Sequence, residues 1–582
     1  MGINIRSMVQ NNFLKTIILA GWLTINIYLL TSTYLLYYKS DKYHYLYMVL
    51  KESICVSRAC AMAINFNLAL ILIPMCKTII SWIRTKLLKY LHSNPRRLVN
   101  HLKGLHILCA FTMCILSVIH TLSHLVNSLR FHLNFTEAIE AINVASSKKE
   151  TTLWLVLSKV PGWTGVVMLV LLAIIVLTSF QAVRRQNYEV FWYTHHLTIV
   201  FLILACFHGF GKITKFQTNL DKNPRECHSL VRKMWKENST ICLEAPSFES
   251  NVPQTWKWIV GPLCLYIIDR IIRLFRAVKD CQVANVILHE DKMIELHMLK
   301  KGFKSKPGQY ILLQCPDISD LEWHAFTLTK CPTNDGGDET FSVNMKVAGD
   351  WTKKLKAKFF KCINTKGIFM QRVGDNCIIN IDKSIVYDNE NEENDENVLP
   401  IIRVDGPYGS PNEDCFRYPV NISVAAGIGI TPFAAVLNKL RSLDPKLVDK
   451  NFKMKRMHLV WACRDIQEFT WFLQLMFDTV KHLNSINMGD LLVCHLFVTR
   501  GANLTTEDPS MADYKIQWLQ KRLRYGRPDF EDILKKISLN HYKTRVGVFF
   551  CGPGPLGKVL YDACKSVNFR GNSFIFHKES FA

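Results

Sequence analysis

The sequence predicts a two-part fold, with six membrane-spanning helices followed by a soluble α/β half. Three observations indicate this. Residues 1–280 contain most of the long apolar runs, which have the length needed to cross a hydrocarbon core of about 30 Å. Residues 281–582 alternate β-rich and helical segments instead. Beyond residue 416 a strand, a glycine-rich turn, a helix and another strand follow one another, which is typical of the doubly wound class.

The apolar runs and the change of pattern set the predicted boundaries. We divide the chain into three predicted domains, 1–280, 281–415 and 416–582. The first apolar run is longer than the core of a signal peptide and lacks a small-residue cleavage site, so we expect it to be a retained anchor. The six predicted spans cover residues 13–36, 54–82, 104–128, 153–180, 190–210 and 256–276.

The net charge of +23 indicates an orientation in the membrane rather than a nucleic-acid partner. The basic residues are dispersed, and many of them flank apolar spans. Arg184 and Arg185 precede the fifth span, while Arg273 and Arg276 end the sixth. Because cytoplasmic loops are enriched in Lys and Arg, these ends are expected in the cytosol. Six spans with a short basic start then place both termini on the cytosolic side.

Two features of the predicted outer loops indicate an oxidising compartment. The nineteen cysteines show no paired zinc-type spacing, and most lie in apolar segments. Cys227 and Cys242 both lie in the long outer loop, where we expect a disulfide between them. Asn134 and Asn238 each begin a glycosylation sequon on the same predicted side.

Four histidines in two apolar spans are the candidate metal ligands. His106 and His120 are fourteen residues apart, so an α-helix separates them by about 21 Å and leaves them within roughly 40° of one face. His195 and His208 lie in another span at matching depths. Polar groups inside a membrane are costly and usually functional. Two helices with histidines at two levels predict two stacked haems, each bound by one histidine from each helix.

Periodicity alone leaves the ligand assignment open. His195 and His208 are thirteen residues apart and are about 140° out of register in an ideal helix. A π-bulge or a kink in the fifth span is needed to bring both to one face. His101 and His124 are competing candidates, and His196 fits little better than its neighbour. A single histidine in an apolar helix is more often a satisfied core group than a ligand.

Three short motifs in the second half indicate nucleotide binding. The run from Ala425 to Phe433 ends a predicted strand and begins a helix, and its glycines allow a phosphate to approach the backbone. Arg464 follows the predicted strand 457–462, where an arginine can bind the 2′-phosphate of NADPH. Cys551 begins a Cys-Gly-Pro sequence after the apolar strand 546–550.

The order of the motifs resembles that found in the NADPH oxidase family. Within this family the chain is similar to the phagocyte-type cytochrome b catalytic subunit, which has no EF-hands. The resemblance extends over nearly the whole chain. It implies a ferredoxin-reductase-like module that combines an antiparallel β-barrel FAD domain with a doubly wound NADPH domain. The matching motifs are His-Ala-Phe-Thr at 324–327, Asp-Gly-Pro-Tyr-Gly at 405–409, Gly-Ile-Gly-Ile-Thr-Pro at 427–432, Cys-Arg-Asp at 463–465 and Cys-Gly-Pro at 551–553.

The resemblance also implies roles for individual residues. Thr327 is expected near the flavin ring, and the last aromatic residue, Phe581, is expected to stack on it. The implied residues are His106 and His195 for the inner haem, His120 and His208 for the outer haem, Arg58 and His124 for the oxygen pocket, His324, Phe326, Thr327 and Phe581 for FAD, and Gly427, Gly429, Thr431, Pro432, Arg464, Arg527 and Cys551 for NADPH.

Four positions depart from the family pattern, all in the nucleotide half. Ala325 replaces a proline, so FAD affinity is expected to fall. Ala425 replaces the first glycine of the phosphate turn, which is a mild change. Arg500 lies where relatives have Thr-Gly-Trp, which puts a contact to the adenine side in doubt. Ala582 extends the chain one residue past Phe581.

The function implied by the resemblance is superoxide production from extracellular O₂, with NADPH, FAD and two b-type haems as cofactors. The implied location is a plasma, phagosomal or endosomal membrane. The implied partners are lipid, a small membrane subunit, cytosolic organiser and activator proteins, and a Rac-type GTPase. Two alternatives stay open: a ferric or other metalloreductase of the same architecture, and a non-catalytic relative that acts as a proton pathway or scaffold.

Overall fold

The computed structural model consists of two compact units, which are described separately. The helical unit contains Thr16–Cys76 and His101–Ile268, and the sheet unit contains Met1–Lys15, Lys77–Asn100 and Asp269–Ala582. The structure describes residues 5–87, 102–136, 139–144, 147, 149–228, 242–289, 293–332, 339–361, 368–373, 376–381, 399–445, 452–500, 514–541, 543–567 and 573–579.

The described residues before residue 210 form ten α-helices. The longest, α1, α3, α5 and α7, correspond to four of the predicted spans. The ten are α1 (Ile5–Lys39), α2 (His44–Leu50), α3 (Glu52–Leu72), α4 (Lys77–Trp82), α5 (Leu102–Leu133), α6 (Thr152–Ser158), α7 (Val160–Ser179), α8 (Gln181–Gln186), α9 (Tyr188–His195) and α10 (Leu197–Phe207).

Five helical segments in the described residues are long and apolar enough to cross a membrane. Large apolar side chains such as Phe111 and Leu177 are exposed on them, as expected of surfaces that face lipid. The predicted sixth span forms α11 (Thr255–Val278), which contains Asp269, Arg270 and Arg273 and is less apolar. The six-span count therefore stays a prediction. The five segments are Lys15–Lys39, Glu52–Met75, Gly104–Leu133, Val160–Ser179 and Tyr188–Gly211.

The predicted disulfide is present in the helical unit. Cys227 and Cys242 are bonded, with 5.7 Å between their Cα atoms. Close by in sequence, β1 (Lys215–Gln217) and β2 (Phe248–Ser250) form a short antiparallel pair. Of the two sequon residues, Asn134 donates a hydrogen bond to the Val49 carbonyl, whereas Asn238 lies outside the described residues.

The first half of the sheet unit is an antiparallel sheet of eight strands, which confirms the predicted antiparallel domain. Their spatial order is β10-β5-β6-β7-β4-β3-β9-β8. One helix, α12 (Asp350–Lys361), buries Trp351, Leu355 and Phe359 in the core of this sheet. The strands are β3 (Gln282–His289), β4 (Met293–Leu299), β5 (Tyr310–Gln314), β6 (His324–Lys330), β7 (Thr340–Lys346), β8 (Ile368–Val373), β9 (Asn376–Ile381) and β10 (Arg403–Tyr408).

The second half of the sheet unit is a parallel sheet of six strands in the order β14-β13-β12-β11-β15-β16. Two hydrophobic clusters cover its two faces, as expected of a doubly wound domain. The elements are β11 (Val420–Ala426), α13 (Thr431–Arg441), β12 (Arg456–Cys463), α14 (Thr470–Ser485), β13 (Leu492–Val498), α15 (Tyr514–Gln520), β14 (Leu523–Tyr525), α16 (Phe530–Asn540), β15 (Arg545–Cys551), α17 (Gly554–Val567) and β16 (Ser573–Glu579).

The order of the parallel strands determines where a ligand binds. β11 lies between β12 and β15, and the chain leaves it in opposite directions to build the two halves of the sheet. In doubly wound sheets, ligands bind beyond the carboxyl ends of the strands at this reversal point. The glycine turn at residues 427–430 follows β11 directly.

Candidate functional site

The four candidate ligands form two pairs in the helical unit. The ring centroids of His106 and His195 are 6.3 Å apart, and those of His120 and His208 are 6.2 Å apart. A metal–imidazole bond of about 2.0–2.1 Å, plus roughly 1.1 Å to the ring centre, gives about 6.2–6.4 Å for rings on opposite sides of one ion. Each pair therefore has the spacing needed to hold one metal ion between its two rings.

A break in the fifth predicted span removes the register mismatch. Helix α9 ends at His195, His196 forms a turn, and α10 starts at Leu197. His208 then begins a 3₁₀ turn that extends to Gly211. An ideal helix leaves His195 and His208 far out of register, whereas this interrupted one brings each to a partner on α5. The predicted distortion is present, as a helix break rather than a π-bulge.

Hydrogen bonds fix the orientation of three of these imidazoles. His106 donates from Nδ1 to the Ile71 carbonyl at 2.9 Å, and His120 donates from Nδ1 to the Ser57 carbonyl at 2.9 Å. His208 contacts the Thr164 hydroxyl at 2.8 Å through Nδ1. Thr164 donates its own proton to the Val160 carbonyl, so the hydroxyl oxygen accepts from His208.

The consequence of these bonds is a single tautomer. A proton held at Nδ1 leaves Nε2 with a lone pair, which is the usual arrangement in metal-binding histidines. The Nδ1 atom of His195 is buried without a hydrogen-bond partner in the described part of the chain. Of the competing residues, His196 is bonded to the Trp192 carbonyl of its own helix, and His101 lies outside the described residues.

Each histidine pair has an arginine nearby whose Nε is buried and unpartnered in the described residues. Arg58 follows Ser57, the residue that holds His120. Arg184 lies 5.5 Å from the Phe191 ring, which in turn lies 5.2 Å from His195. A buried unpaired donor costs free energy unless a ligand satisfies it. Because haem carries two carboxylates, this environment fits one haem at each pair.

His124 lies against the pair formed by His120 and His208. Its ring centroid is 4.5 Å from that of His120, and its Nδ1 is 3.4 Å from Asn127 Nδ2. Arg58 and His124 are therefore both next to residues of the outer pair, where the resemblance places the oxygen pocket.

Three of the predicted FAD residues, His324, Phe326 and Thr327, lie together on β6. His324 contacts Glu322 at 3.2 Å and packs against Trp351 with 4.5 Å between ring centroids. Phe326 packs on the same indole at 6.0 Å. Thr327 is 2% exposed, and its hydroxyl has no partner in the described residues. An orphaned hydroxyl at this position fits a ligand that bonds to it.

A buried ion cluster holds residues 405–409, at the end of β10. Asp405 is 1% exposed and accepts from Arg273 and Arg276, each at 2.7 Å. The Tyr408 hydroxyl also donates to this carboxylate. Burial and the adjacent carboxylate raise the pKa of Tyr408, so its proton stays in place. The motif is recognisable in the sequence, but its two arginine partners are not, because they lie about 130 residues away.

The glycine turn after β11 requires glycine at both predicted positions. Gly427 has a φ of +52°, in the left-handed region. A Cβ atom on Gly429 would lie 2.3 Å from the Cys551 carbonyl oxygen. Thr431 and Pro432 start α13 and are buried. The turn brings backbone N–H groups and a helix N-terminus together, a combination that binds phosphate.

A carboxylate that the sequence motifs did not predict lies beside this turn. Glu468 Oε2 lies 3.7 Å from the position of a Cβ on Gly427. It also accepts from the Arg464 backbone N–H at 3.3 Å. Its second oxygen pairs with Lys346 of the antiparallel sheet at 3.6 Å. An acidic residue five positions after Cys463 was the only sequence signal for this contact.

A second carboxyl group that the sequence motifs did not predict lies opposite Cys551 in the parallel sheet. Glu579 on β16 is directly paired with Cys551 on β15. Its hydrogen-bond donors are Ser410 and Asn412. Burial raises the pKa of Glu579 to about 8, and burial also raises the pKa of the Cys551 thiol. Phe581 lies outside the described residues.

Arg464 and Arg527 follow the ends of β12 and β14, and both are exposed. The two strands lie on either side of β13 in the sheet. Both arginines are therefore at the carboxyl edge of the sheet, where the sequence predicts the 2′-phosphate.

A membrane domain able to hold metal porphyrins, followed in one chain by a nucleotide-binding half, is the construction of a transmembrane oxidoreductase. Three family models match the chain in this order. Residues 60–206 match the ferric reductase like transmembrane component. Residues 278–412 match an FAD-binding domain, and residues 420–565 match the ferric reductase NAD binding domain.

Full-length relatives narrow the class to one family. NADPH oxidase 4 of Rattus norvegicus is 37% identical over 611 residues, which cover 100% of both chains. NADPH oxidase 3 of Homo sapiens is 34% identical over 98% of this chain and 99% of its own. NADPH oxidase 1 of Mus musculus is 32% identical over 98% of this chain and 94% of its own. The chain belongs to the NADPH oxidase family.

Family membership confirms several expectations. The chain is an NADPH-dependent transmembrane oxidoreductase, and its matched domains imply FAD and NADPH as cofactors. A ferric-reductase-like membrane component is typical of haem-containing members. Among solved structures, the cytochrome b5 reductase domain of Ulva prolifera nitrate reductase aligns with 52% of this chain and 98% of that chain, at 14% identity and a TM-score of 0.29. The roles of individual residues remain predictions.

Proposed function

We propose that the chain is a superoxide-generating NADPH oxidase, which moves electrons from cytosolic NADPH to O₂ on the other side of a membrane. This proposal rests on the two pairs of histidines, because each pair has the spacing for one metal ion. Bound FAD would supply the conversion of a hydride into single electrons, and haems held by the two pairs would supply one-electron transfer across the membrane.

The residues of the helical unit hold and orient the haems in this proposal. His106 and His195 bind the inner iron, while His120 and His208 bind the outer iron. Because two histidines would hold each haem, O₂ would meet the side chains beside the outer one. Arg58 places a positive charge there, which stabilises the negative charge that develops on oxygen. His124 lines the same pocket.

The residues of the sheet unit bind the two nucleotides. His324, Phe326 and Thr327 contact FAD, and Phe581 covers the flavin from the chain terminus. The glycine turn places backbone N–H groups at the phosphates of NADPH. The residues assigned to NADPH are Gly427, Gly429, Thr431, Pro432, Arg464, Arg527 and Cys551.

Location and partners follow from the same proposal. Basic residues at the ends of the spans place both termini and the domains 281–415 and 416–582 in the cytosol. The membrane is a plasma, phagosomal or endosomal membrane. The partners are a small membrane subunit, cytosolic organiser and activator proteins, and a Rac-type GTPase. The disulfide-bonded loop lies on the opposite side, which fits an oxidising compartment.

Proteoliposomes containing the purified full-length chain with its activating partners test the function directly. NADPH is added with either cytochrome c or ferric chelate as the reporter of electron transfer. We expect superoxide dismutase to abolish cytochrome c reduction. Ferrous product formed at an undiminished rate in the presence of superoxide dismutase would instead identify a metalloreductase. Protein without flavin and haem absorbance would identify a non-catalytic relative.

A further inference from the structure

Three arginines follow three neighbouring strands of the parallel sheet. β12, β13 and β14 are adjacent and parallel, so their carboxyl ends lie at one edge. Arg464 follows β12, Arg500 follows β13 and Arg527 follows β14. The Arg500 backbone N–H donates to the Arg464 carbonyl at 3.0 Å. Arg500 therefore lies between the two arginines already assigned to NADPH.

These three guanidinium groups have no carboxylate partner in the described part of the chain, and all three residues are exposed. Two nearby arginines, one before β14 and one within it, differ. The guanidinium of Arg522 lies 4.4 Å from the Trp518 ring, and that of Arg524 lies 5.9 Å from the Phe497 ring. Like charges held close together repel, and an anion bound between them offsets this repulsion.

We propose that Arg500 binds the 2′-phosphate of NADPH together with Arg464 and Arg527, and that it determines the selectivity for 2′-phosphorylated adenine nucleotides. This inference rests on the NADPH site of the proposed function. The family pattern implied by the sequence resemblance has Thr-Gly-Trp where this chain has Val498-Thr499-Arg500-Gly501. Arg500 would give this position an ionic contact to the phosphate. Guanidinium suits this role because it offers several donors in one plane.

The binding test uses the purified full-length chain in lipid nanodiscs with 2′-phospho-AMP and 5′-AMP as probes. Arg500→Gln is expected to weaken 2′-phospho-AMP about tenfold, the usual scale for one charge-assisted hydrogen bond. Its effect on 5′-AMP is expected to be below twofold. Arg500→Lys keeps the charge and should recover part of the affinity. Arg524→Gln, which changes an exposed arginine within β14, is the matched control and should change neither affinity.

A kinetic test follows anaerobic flavin reduction by NADPH and by NADH in the same variants. Arg500→Gln should lower the second-order rate constant for NADPH about tenfold and leave that for NADH unchanged. Unchanged affinity for 2′-phospho-AMP, or an equal loss for both dinucleotides, would overturn the proposal. Nucleotide binding needs neither haem nor oxygen. A chain that binds 2′-phospho-AMP through Arg500 but makes no superoxide would therefore contradict only the proposed function.

Discussion

The helical unit and the sheet unit build their candidate sites in different ways. In the helical unit single side chains form the sites, and backbone carbonyls such as those of Ile71 and Ser57 only orient them. In the sheet unit the backbone itself forms much of the site, at the glycine turn and the strand ends. One substitution in the first unit should therefore remove a cofactor, whereas substitutions in the second should change affinity by degrees.

The largest effect is expected at the outer histidine pair. His120→Leu removes one of two iron ligands, so we expect one haem per chain and no oxygen reduction. NADPH should still reduce flavin under anaerobic conditions. Optical spectra and stopped-flow absorbance measure these quantities. His196→Leu is the control, because His196 bonds within its own helix. Two haems retained in His120→Leu would contradict the ligand assignment.

The next largest effect is expected at the buried ion cluster of the sheet unit. Asp405→Asn leaves Arg273 and Arg276 without a buried counter-charge. We expect a loss of about 3–5 kcal/mol in unfolding free energy, the range for one partner removed from a buried pair. FAD affinity should fall with it. Denaturant unfolding and FAD titration measure both. Asp490→Asn, which removes the exposed partner of Arg456, should change neither.

A smaller effect, a rise in NADPH affinity, is expected when Glu468 is replaced. Its carboxylate lies against the glycine turn, where the phosphates of NADPH are expected. Glu468→Gln removes a like charge and should raise NADPH affinity roughly fivefold, from about 1 kcal/mol of repulsion in a partly solvated site. Equilibrium titration tests this. Glu531→Gln, an exposed carboxylate paired with Lys535, is the control. Weaker binding in Glu468→Gln would show that the carboxylate supports the site.

The smallest effect concerns pH. The folded-state pKa of Glu579 is raised from 4.5 to about 8, so the folded chain holds this proton more tightly than the unfolded chain. Its contribution to stability is complete below pH 4.5 and is lost as the pH rises towards about 8. Glu579→Gln should flatten the fall in thermal midpoint between pH 6 and pH 8.5. An unchanged pH profile would show that Glu579 is ionised in the fold.

Local patterns in the sequence predicted most of the architecture. The strand predicted at residues 457–462 lies within β12, which extends one residue further at each end. The strand predicted at residues 546–550 lies within β15, which also extends one residue further at each end. These strands could be predicted because an apolar strand between turn residues depends mainly on the local sequence.

Contacts between distant residues could not be predicted in the same way. Asp405 and Arg273 are 132 residues apart, and Glu468 meets the glycine turn only after β12 has folded back. His195 and His208 reach their partners only because the helix is interrupted at His196. No proline or glycine at this point of the sequence predicts the interruption. Residue spacing alone therefore did not decide which histidines are the ligands, although it predicted the residue type and the two depths in the membrane.

A reduced-minus-oxidised optical spectrum, with haem quantified per chain, tests the central claim most directly. Two histidine pairs spaced for one ion each predict two low-spin b-type haems per chain and two reduction steps. A stoichiometry of one or zero, or a high-spin spectrum with an open iron position, would contradict the account.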